Sequence, residues 1–441
     1  MPDSSELIAR IKGVKADHHL AQDFRHEVAN LLGRHQTSFP GAQPVSFASR
    51  HLSELRHQDY YVCEKTDGIR YLMYCTRDGD RDIHYLIDRK NDYYYIPDLH
   101  FPKQDDKTFA SFHSETILDG ELVEDSYPDG HSELKFLVFD CLVLDGDLLT
   151  TKPLDKRLAR FKDWVLKPYK ELWKAFPEEV QHRPFAMEDK ATQFSYSLDY
   201  MFKSIIPSVK QLHGNDGLIF TCKNTPYKTG TDEHILKWKP PAENTIDFVL
   251  HITWPLCTPD PTDPDRTPHP DYTAFPSTLD LFVYLGSDIN YEYFAPLYLT
   301  TQEWEELKAL QRPLQDSVVE CYLEPAVQPP PEDDSNNSNN NNNNSNNDEI
   351  NPLQDDNNNT NNNNTNNNNH NNNTTTPHPP RWRFHRLRDD KDHANHISTV
   401  RSVMESIEDH VTEQDLLEAA AGIRDAWKRR QAEEERGRKK R

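Results

Sequence analysis

Short apolar runs broken by turn residues dominate the chain from Tyr60 to Leu144, the pattern of strands joined by tight connections. The run "YYVCEK" leads into a "TDG" turn, and "YLMYCTRDGDRDIHYLIDRKNDYYYI" carries two further breaks, "RDGD" and "RKND", so an antiparallel meander is expected there. "ETILDGELV" and "KFLVFDCLVLDG" add two strands, each tied to an Asp-Gly pair. Helices are expected near Leu20 to Leu32 and Leu198 to Leu212, the second broken around Pro207, where a ring replaces the N–H. Toward the end, "TEQDLLEAAAGIRDAWKRRQAEEE" opens with a T-x-x-D capping box at Thr412 and spaces Leu416, Leu417, Ala420 and Ile423 for a helix.

The doublet Pro240-Pro241 closes one strand-rich region, and "NTIDFVLHITW" opens another, so the main domain boundary is placed there, giving domains 1–240 and 241–441. A Pro- and Asp-rich loop spans Pro255 to Pro276; "TLDLFVYLG" and "YEYFAPLYLT" then read as strands. Ser335 to Thr376 is mostly Asn, within an insert of 332–378 that buries almost nothing apolar and is expected to be disordered. Ordered sequence resumes at once with "RWRFHRLRDDKDHANH", which favours a surface loop inside the second domain.

Composition narrows the class. The 441 residues suffice for two or three domains. No run of about 18 apolar residues exists, and Met1 to Ile11 lacks a basic start followed by an apolar stretch, so an intracellular setting is expected. The six cysteines (63, 75, 141, 222, 257 and 321) form no C-x-x-C pair and read as reduced thiols, with neither zinc nor disulfides. A net charge of -23 excludes coating nucleic acid by bulk attraction, which confines such contact to a terminus or one groove. The terminal "KRRQAEEERGRKKR" is a nuclear address or a solvated end.

Several residues could carry chemistry. Lys65 stands between a strand and the "TDG" turn, with Arg70 five residues on. In "HILKWKP", Lys237 and Lys239 share one face of a strand while Leu236 and Trp238 take the other, which suits either solvent or an anionic pocket. Glu121, two residues beyond Asp119, and Asp216 each adjoin a glycine at a strand edge: plain turns, or oxygen ligands for a Mg2+ that also holds phosphates. "RFHRLRDDK" sets Arg386, Arg388 and Lys391 around Asp389 and Asp390, a mixed-charge strand or a phosphate grip.

The order of these pieces is more specific than any one of them. K-x-D-G-x-R, D-G-E, an apolar F-D strand, D-G, L-K-W-K and R-x-R-x-D-K resemble the motif series of the covalent nucleotidyltransferases, from Lys65 to Lys391. Within that group, "FPGAQPVSF", "DYYVCEKTDGIR", "LIDR", "NDGLIFT", "TPY" and "LKWKP" are similar to the fungal mRNA capping enzyme guanylyltransferase subunits. The Asn-rich insert departs from that family's pattern.

The resemblance implies an α+β fold, an antiparallel-sheet nucleotidyltransferase domain followed by an OB-fold domain with closing C-terminal helices. It implies GTP as substrate and Lys65 as the nucleophile, giving a lysyl-GMP that passes GMP to a 5'-diphosphate RNA end. Keeping a lysine amine neutral near pH 7.4 costs about 4 kcal/mol, which gives Lys237, Lys239, Arg70 and a metal reason to crowd Lys65. By the same resemblance Lys237 and Lys239 hold the α phosphate, while Arg70, Glu121 and Arg89 meet the ribose. Phe139 stacks on the purine, Lys190 reads the guanine carbonyl, and Asp216 with Glu121 binds Mg2+ or Mn2+. Arg386, Arg388, Asp390 and Lys391 grip the β and γ phosphates. Implied partners are the RNA end, an RNA 5'-triphosphatase subunit and the phosphorylated tail of RNA polymerase II, in the nucleus. The alternatives are an ATP-dependent polynucleotide ligase and a non-catalytic scaffold binding RNA or that tail.

Overall fold

The computed structural model describes residues 4–240, 243–257, 268–286, 290–327, 378–389 and 391–439. The chain divides into two compact units, one formed by Met1–Ile246 with Asn395–Arg441 and the other by Asp247–Ala394. The fold is mixed α+β, as expected. The barrel-forming segment is thus inserted in sequence between two parts of the first unit.

The first unit holds two sheets. The larger has eight strands, ordered Val14–Lys15, Tyr93–Tyr95, Arg81–Ile87, Ile69–Asp78, Thr116–Ser126, Ser132–Leu144 and Ala186–Asp189, with Asp147–Leu148 beside Ser132–Leu144. The expected meander is its centre, paired antiparallel throughout. Alternation gives the sheet two apolar faces. Tyr71, Met73, Cys75 and Leu118 face one core with Phe161, Val165 and Tyr169, while Leu72, Tyr74 and Ile117 meet Phe24 and Val28 of the helix His18–Leu31. That helix is capped by Asp17, whose carboxylate accepts the Leu20 N–H at 2.9 Å.

The smaller sheet runs Gln193–Phe194, Tyr60–Thr66, Asn215–Cys222, Gly230–Trp238 and Ala42–Ser46. Val62, Phe220 and Leu236 stand in register across its middle and bury one face against Leu55, Leu198 and Met201. The helical stretch from Leu198 runs on to Val209 through Pro207, preceded by a wider π turn over Met201–Ile205 that spares the ring a clash with the preceding turn.

The closing helices Ile397–Glu408 and Glu413–Lys439 differ from expectation, because they belong with the first unit and not with the barrel. Val411, Leu416, Ala419 and Ile423 join the core of the smaller sheet, and Trp238 donates its indole N–H to the Val411 carbonyl at 2.7 Å. Leu416 and Ile423 are fully buried, worth about 1.5–3 kcal/mol each. Arg430 adds an ion pair to Asp59 at 2.7 Å. The capping box at Thr412 is present: its N–H donates to Asp415 at 2.8 Å, and the Asp415 N–H to the Thr412 hydroxyl at 3.2 Å.

The second unit is built on a closed five-stranded, OB-like barrel, ordered Thr245–Thr253, Thr278–Tyr284, Tyr291–Tyr298, Arg381–Leu387 and Val318–Glu324. Residues 332–377 of the Asn-rich insert lie outside the described residues; the strands before and after it, Val318–Glu324 and Arg381–Leu387, pair antiparallel. Five of the six cysteines are buried, and all six are free thiols.

Candidate active site

Strand alternation builds the site. In Tyr60–Thr66 the odd residues Tyr61, Cys63 and Lys65 point away from the core, and register sets Ile219 and Thr221, then Ile235 and Lys237, on that same face. The larger sheet contributes the polar end of an otherwise apolar face, since Leu72 and Tyr74 give way to Arg70, and Ile117 to Asp119 and Glu121. Together these two faces line a cavity of about 150 Å³ that also holds Phe139, Arg89, Lys190 and Thr192. Lys65 therefore lies just before the chain crosses from one sheet to the other. The crossing needs Gly68, because a Cβ there would come within 2.6 Å of Val123 Cγ1 and 2.8 Å of the Leu122 carbonyl.

At one end, Lys65 Nζ lies 2.6 Å from Asp216 Oδ1, and Lys239 Nζ lies 2.8 Å from Asp216 Oδ2. The resemblance brought Asp216 near Lys65 only as a ligand of a metal; the structure sets the carboxylate directly between Lys65 and Lys239, where like charges need a counter-ion. Burial would raise the Asp216 carboxyl, but Lys65 and Lys239 outweigh it and hold it below the usual range. The Lys237 side chain is half-buried and has no hydrogen-bond or ion-pair partner among the described residues. Burial, then the charges of Lys239, Lys65 and Arg89, push its ammonium below the ordinary lysine value. Asn215 fixes the local backbone, its amide donating to the carbonyls of Lys65 at 3.2 Å and Gly217 at 3.1 Å.

At the other end, Arg70 is consumed by a buried network. Its Nε and Nη2 donate to the two oxygens of the wholly buried Asp119 at 2.9 and 2.7 Å, and its Nη1 donates to the Ala42 carbonyl. Tyr227 closes the network, its hydroxyl donating to Asp119 at 2.6 Å and accepting the Ala42 N–H at 2.8 Å. Burial opposes the Arg70 charge, but Asp119 more than offsets it, so the guanidinium is held above its normal range. Glu121 takes Lys190 Nζ at 2.8 Å. Burial likewise opposes the Lys190 charge, and Glu121 carries it the other way, upward. Both cations lie near Phe139, Arg70 at 5.4 Å and Lys190 at 5.7 Å from the ring centroid.

The two proposed metal ligands do not share a counter-ion: Glu121 is engaged by Lys190, and Asp216 by Lys65 and Lys239. No cluster of three or more His, Cys, Asp or Glu side chains suited to a metal occurs among the described residues. In the second unit, Arg388 Nη1 reaches Asp247 at 2.9 Å, Lys391 pairs with the same carboxylate, and Arg386 Nε reaches Glu320 at 2.6 Å. Asp390 lies outside the described residues.

Sequence reasoning missed Asp119 as the anchor of Arg70 and gave no role to Tyr227 or Asn215, although both lie in the "TPY" and "NDGLIFT" segments. It also missed a group behind the strand that carries Lys65. His213 Nδ1 lies 2.6 Å from Asp125 and its Nε2 lies 3.3 Å from Glu64, both carboxylates buried. Burial disfavours the imidazolium, but the bonds to Asp125 and Glu64 raise it to about 9.

A lysine at the seam of two sheets, at the edge of a cavity and followed in the chain by a closed five-stranded barrel, is the arrangement expected of a nucleotidyltransferase. Residues 8–241 match the family model described as "mRNA capping enzyme, catalytic domain", and residues 243–417 match "mRNA capping enzyme, C-terminal domain". The chain belongs to the mRNA capping enzyme family. Similar relatives are the proteins named mRNA-capping enzyme subunit alpha of Neurospora crassa, 44% identical over 94% of this chain and 92% of the relative, and of Schizosaccharomyces pombe, 38% identical over 95% and 88%. The protein of that name in Saccharomyces cerevisiae is 33% identical over 97% and 89%. Among solved structures, the ATP-dependent DNA ligase of bacteriophage T7 complexed with ATP overlaps 64% of this chain and 92% of its own at 14% identity and a TM-score of 0.29, too distant to carry an argument.

Proposed function

We infer that this protein is a GTP:RNA guanylyltransferase that works through a lysyl-GMP intermediate, the alpha subunit of an mRNA capping enzyme. The observation that carries the assignment of the chemistry is the placement of Lys65 Nζ at the cavity rim, 2.6 Å from Asp216, with Lys239 on the other carboxylate oxygen. The purine enters the cavity beside Phe139, with Lys190 toward its carbonyl oxygen. Arg89 and Glu121 lie along the ribose, and Arg70, fully engaged by Asp119 and Tyr227, acts as a fixed wall there. The α phosphate comes to Lys237 and Lys239.

Lys65 loses a proton and attacks the α phosphorus; the N–P bond forms, and the bond to the bridging oxygen breaks with pyrophosphate leaving. In the second step the terminal phosphate oxygen of a 5'-diphosphate RNA attacks the same phosphorus and releases the lysine. The Lys65–Asp216 contact must open first, since a lysine held by a carboxylate is not free to attack. Asp216 offers its oxygens to a divalent cation, and the sparse carboxylate set fits Mg2+ or Mn2+ held largely by phosphates and water. Such a cation supplies neutralisation of the phosphate charge. Arg386, Arg388 and Lys391, once free of Glu320 and Asp247, supply cations for the β and γ phosphates.

A partner subunit follows from the alpha-subunit assignment; an RNA 5'-triphosphatase supplies the diphosphate ends that the second step consumes. The phosphorylated tail of RNA polymerase II and a nuclear location complete the reading, supported by the basic "KRRQAEEERGRKKR" end. No helix among the described residues is long and apolar enough to cross a membrane. The test is covalent labelling with a panel of α-labelled nucleotides and a divalent cation. GTP alone should label the chain, and Lys65→Ala should label with none; labelling by ATP would replace this reading with a ligase, and no labelling would replace it with a scaffold.

A further inference from the structure

Arg70 and Arg89 border a second space besides the nucleotide cavity. An open groove of about 760 Å³ leads from Gly68 past Arg89, Lys90 and Tyr94 to Lys15, all within the first unit. Its wall is the turn 88–92, and this turn is fixed from several sides. The Asp88 N–H donates to the Asp92 carbonyl at 3.1 Å and the Asn91 N–H to the Asp88 carbonyl at 2.9 Å, while Asn91 takes a left-handed conformation with φ 63°. Arg25 Nη2 donates to the Asn91 carbonyl at 2.9 Å, and the Asn91 amide donates to the Thr37 carbonyl at 2.7 Å. The two central residues, Arg89 and Lys90, are consequently presented to solvent as adjacent cations on a rigid support. Neither side chain has a hydrogen-bond or ion-pair partner among the described residues.

The carboxylates nearby are already used. Asp88 accepts the Asp92 N–H at 2.9 Å and the Tyr94 hydroxyl at 3.4 Å; Asp92 takes Lys15 at 2.7 Å and Arg25 at 3.9 Å. The Lys15 ammonium lies 6.0 Å from the centroid of the Tyr94 ring. In a chain of net charge -23, two unpartnered cations, Arg89 and Lys90, in one groove with Lys15 and Tyr94, and continuous with the nucleotide cavity through Arg70 and Arg89, suit one ligand class. That class is a single polyanionic strand bearing bases.

We propose that this groove holds the first nucleotides of the acceptor RNA, with Lys90 on one phosphate, Lys15 exchanging Asp92 for the next, and Tyr94 against a base. The proposal rests on the guanylyltransferase reading, because it places the second substrate of that reaction. Arg89 then stands where the two substrates meet. The groove explains how an acidic protein takes up RNA: attraction is local, at the one rim where the terminal phosphate must arrive.

The experiment uses the full chain and the double variant Lys15→Glu with Lys90→Glu. Lysyl-GMP formation from labelled GTP should match the parent, because neither residue lines the nucleotide cavity. Transfer of GMP to a 5'-diphosphate oligoribonucleotide should show a KM for RNA raised about tenfold, with the salt slope flattened by about 0.7 for each phosphate that the variant no longer neutralises. Transfer to a nucleoside 5'-diphosphate, which has no chain to lie in the groove, should be unchanged. An RNA KM within about twofold of the parent would overturn the proposal, as would an equal loss with the nucleoside diphosphate acceptor. Unchanged RNA transfer with lost binding of a phosphorylated polymerase-tail peptide would reassign the groove to that peptide and equally refute it. A parent chain that forms no lysyl-GMP would instead sink the underlying reading of function, and this placement with it.

Discussion

Gly217 sets the spacing between the strands that bear Asp216 and the two lysines, and its replacement by alanine tests how tightly that spacing governs the chemistry. A Cβ at Gly217 would lie 2.0 Å from the Trp238 carbonyl oxygen and 3.1 Å from Lys239 Cα, and the residue sits at φ +141°. Relief requires the two strands to part locally by about 1 Å, a forced-in methyl of the kind that costs about 1–3 kcal/mol. Holding a non-glycine residue at that φ costs about another 1–3 kcal/mol. The sum, roughly 2–6 kcal/mol, lowers the melting temperature by roughly 5–20 °C. A displacement of about 1 Å between Asp216, Lys239 and Lys65 is enough to slow lysyl-GMP formation by about a hundredfold. Gly230→Ala on the neighbouring strand is the control: it shares the left-handed backbone, φ +77°, but nothing lies within 4 Å of its Cβ. Calorimetric melting and single-turnover labelling with GTP read the two effects. A Gly217→Ala protein that labels at the parent rate and melts with the Gly230→Ala control would refute the argument that the close strand approach at Gly217 positions the site.

Lys237→Met should raise the melting temperature at pH 7 while suppressing lysyl-GMP formation, because burial and neighbouring cations lower the Lys237 pKa in the folded state. Since the folded state binds fewer protons than the unfolded one between the two pKa values, the parent should gain stability relative to Lys237→Met as pH rises from the lowered value toward about 10.4; a gap constant to pH 10 would contradict this. His213 works in the opposite sense: its pKa, raised to about 9, gives stability fully present below about pH 6.5 and lost as pH climbs through about 9. Melting curves of the parent against His213→Gln should converge above that window, and parallel curves would exclude the imidazolium as the cause. Arg388→Ala should abolish lysyl-GMP formation while preformed intermediate still passes GMP to RNA; equal loss of both steps would argue against a role confined to the leaving pyrophosphate.

The strands from Tyr60 to Leu144 were legible because alternation and Asp-Gly turns are local signals. The lysine before the "TDG" turn and the same-face pair Lys237 and Lys239 follow from the same period-two logic. The partner of Arg70 was hidden for a related reason: register sets Arg70 opposite Glu121, yet its guanidinium reaches the diagonal Asp119, which is visible only once the strands are paired. Tyr227 enters that network from more than a hundred residues away, and the "TPY" segment that contains it gives no sign of what its hydroxyl reaches. The stripe of Leu416, Ala419 and Ile423 announces a helix that must be covered but not what covers it, so the sheet carrying Lys65, rather than the barrel, received it.

The central claim is that the amine of Lys65 becomes bonded to guanylate. Peptide mass mapping after incubation with GTP and a divalent cation tests it most directly. The peptide bearing Lys65 should gain the mass of one GMP, and the gain should vanish when 5'-diphosphate RNA is added. An adduct on any other residue, or GMP transfer to RNA by a chain that never carries one, would contradict the account.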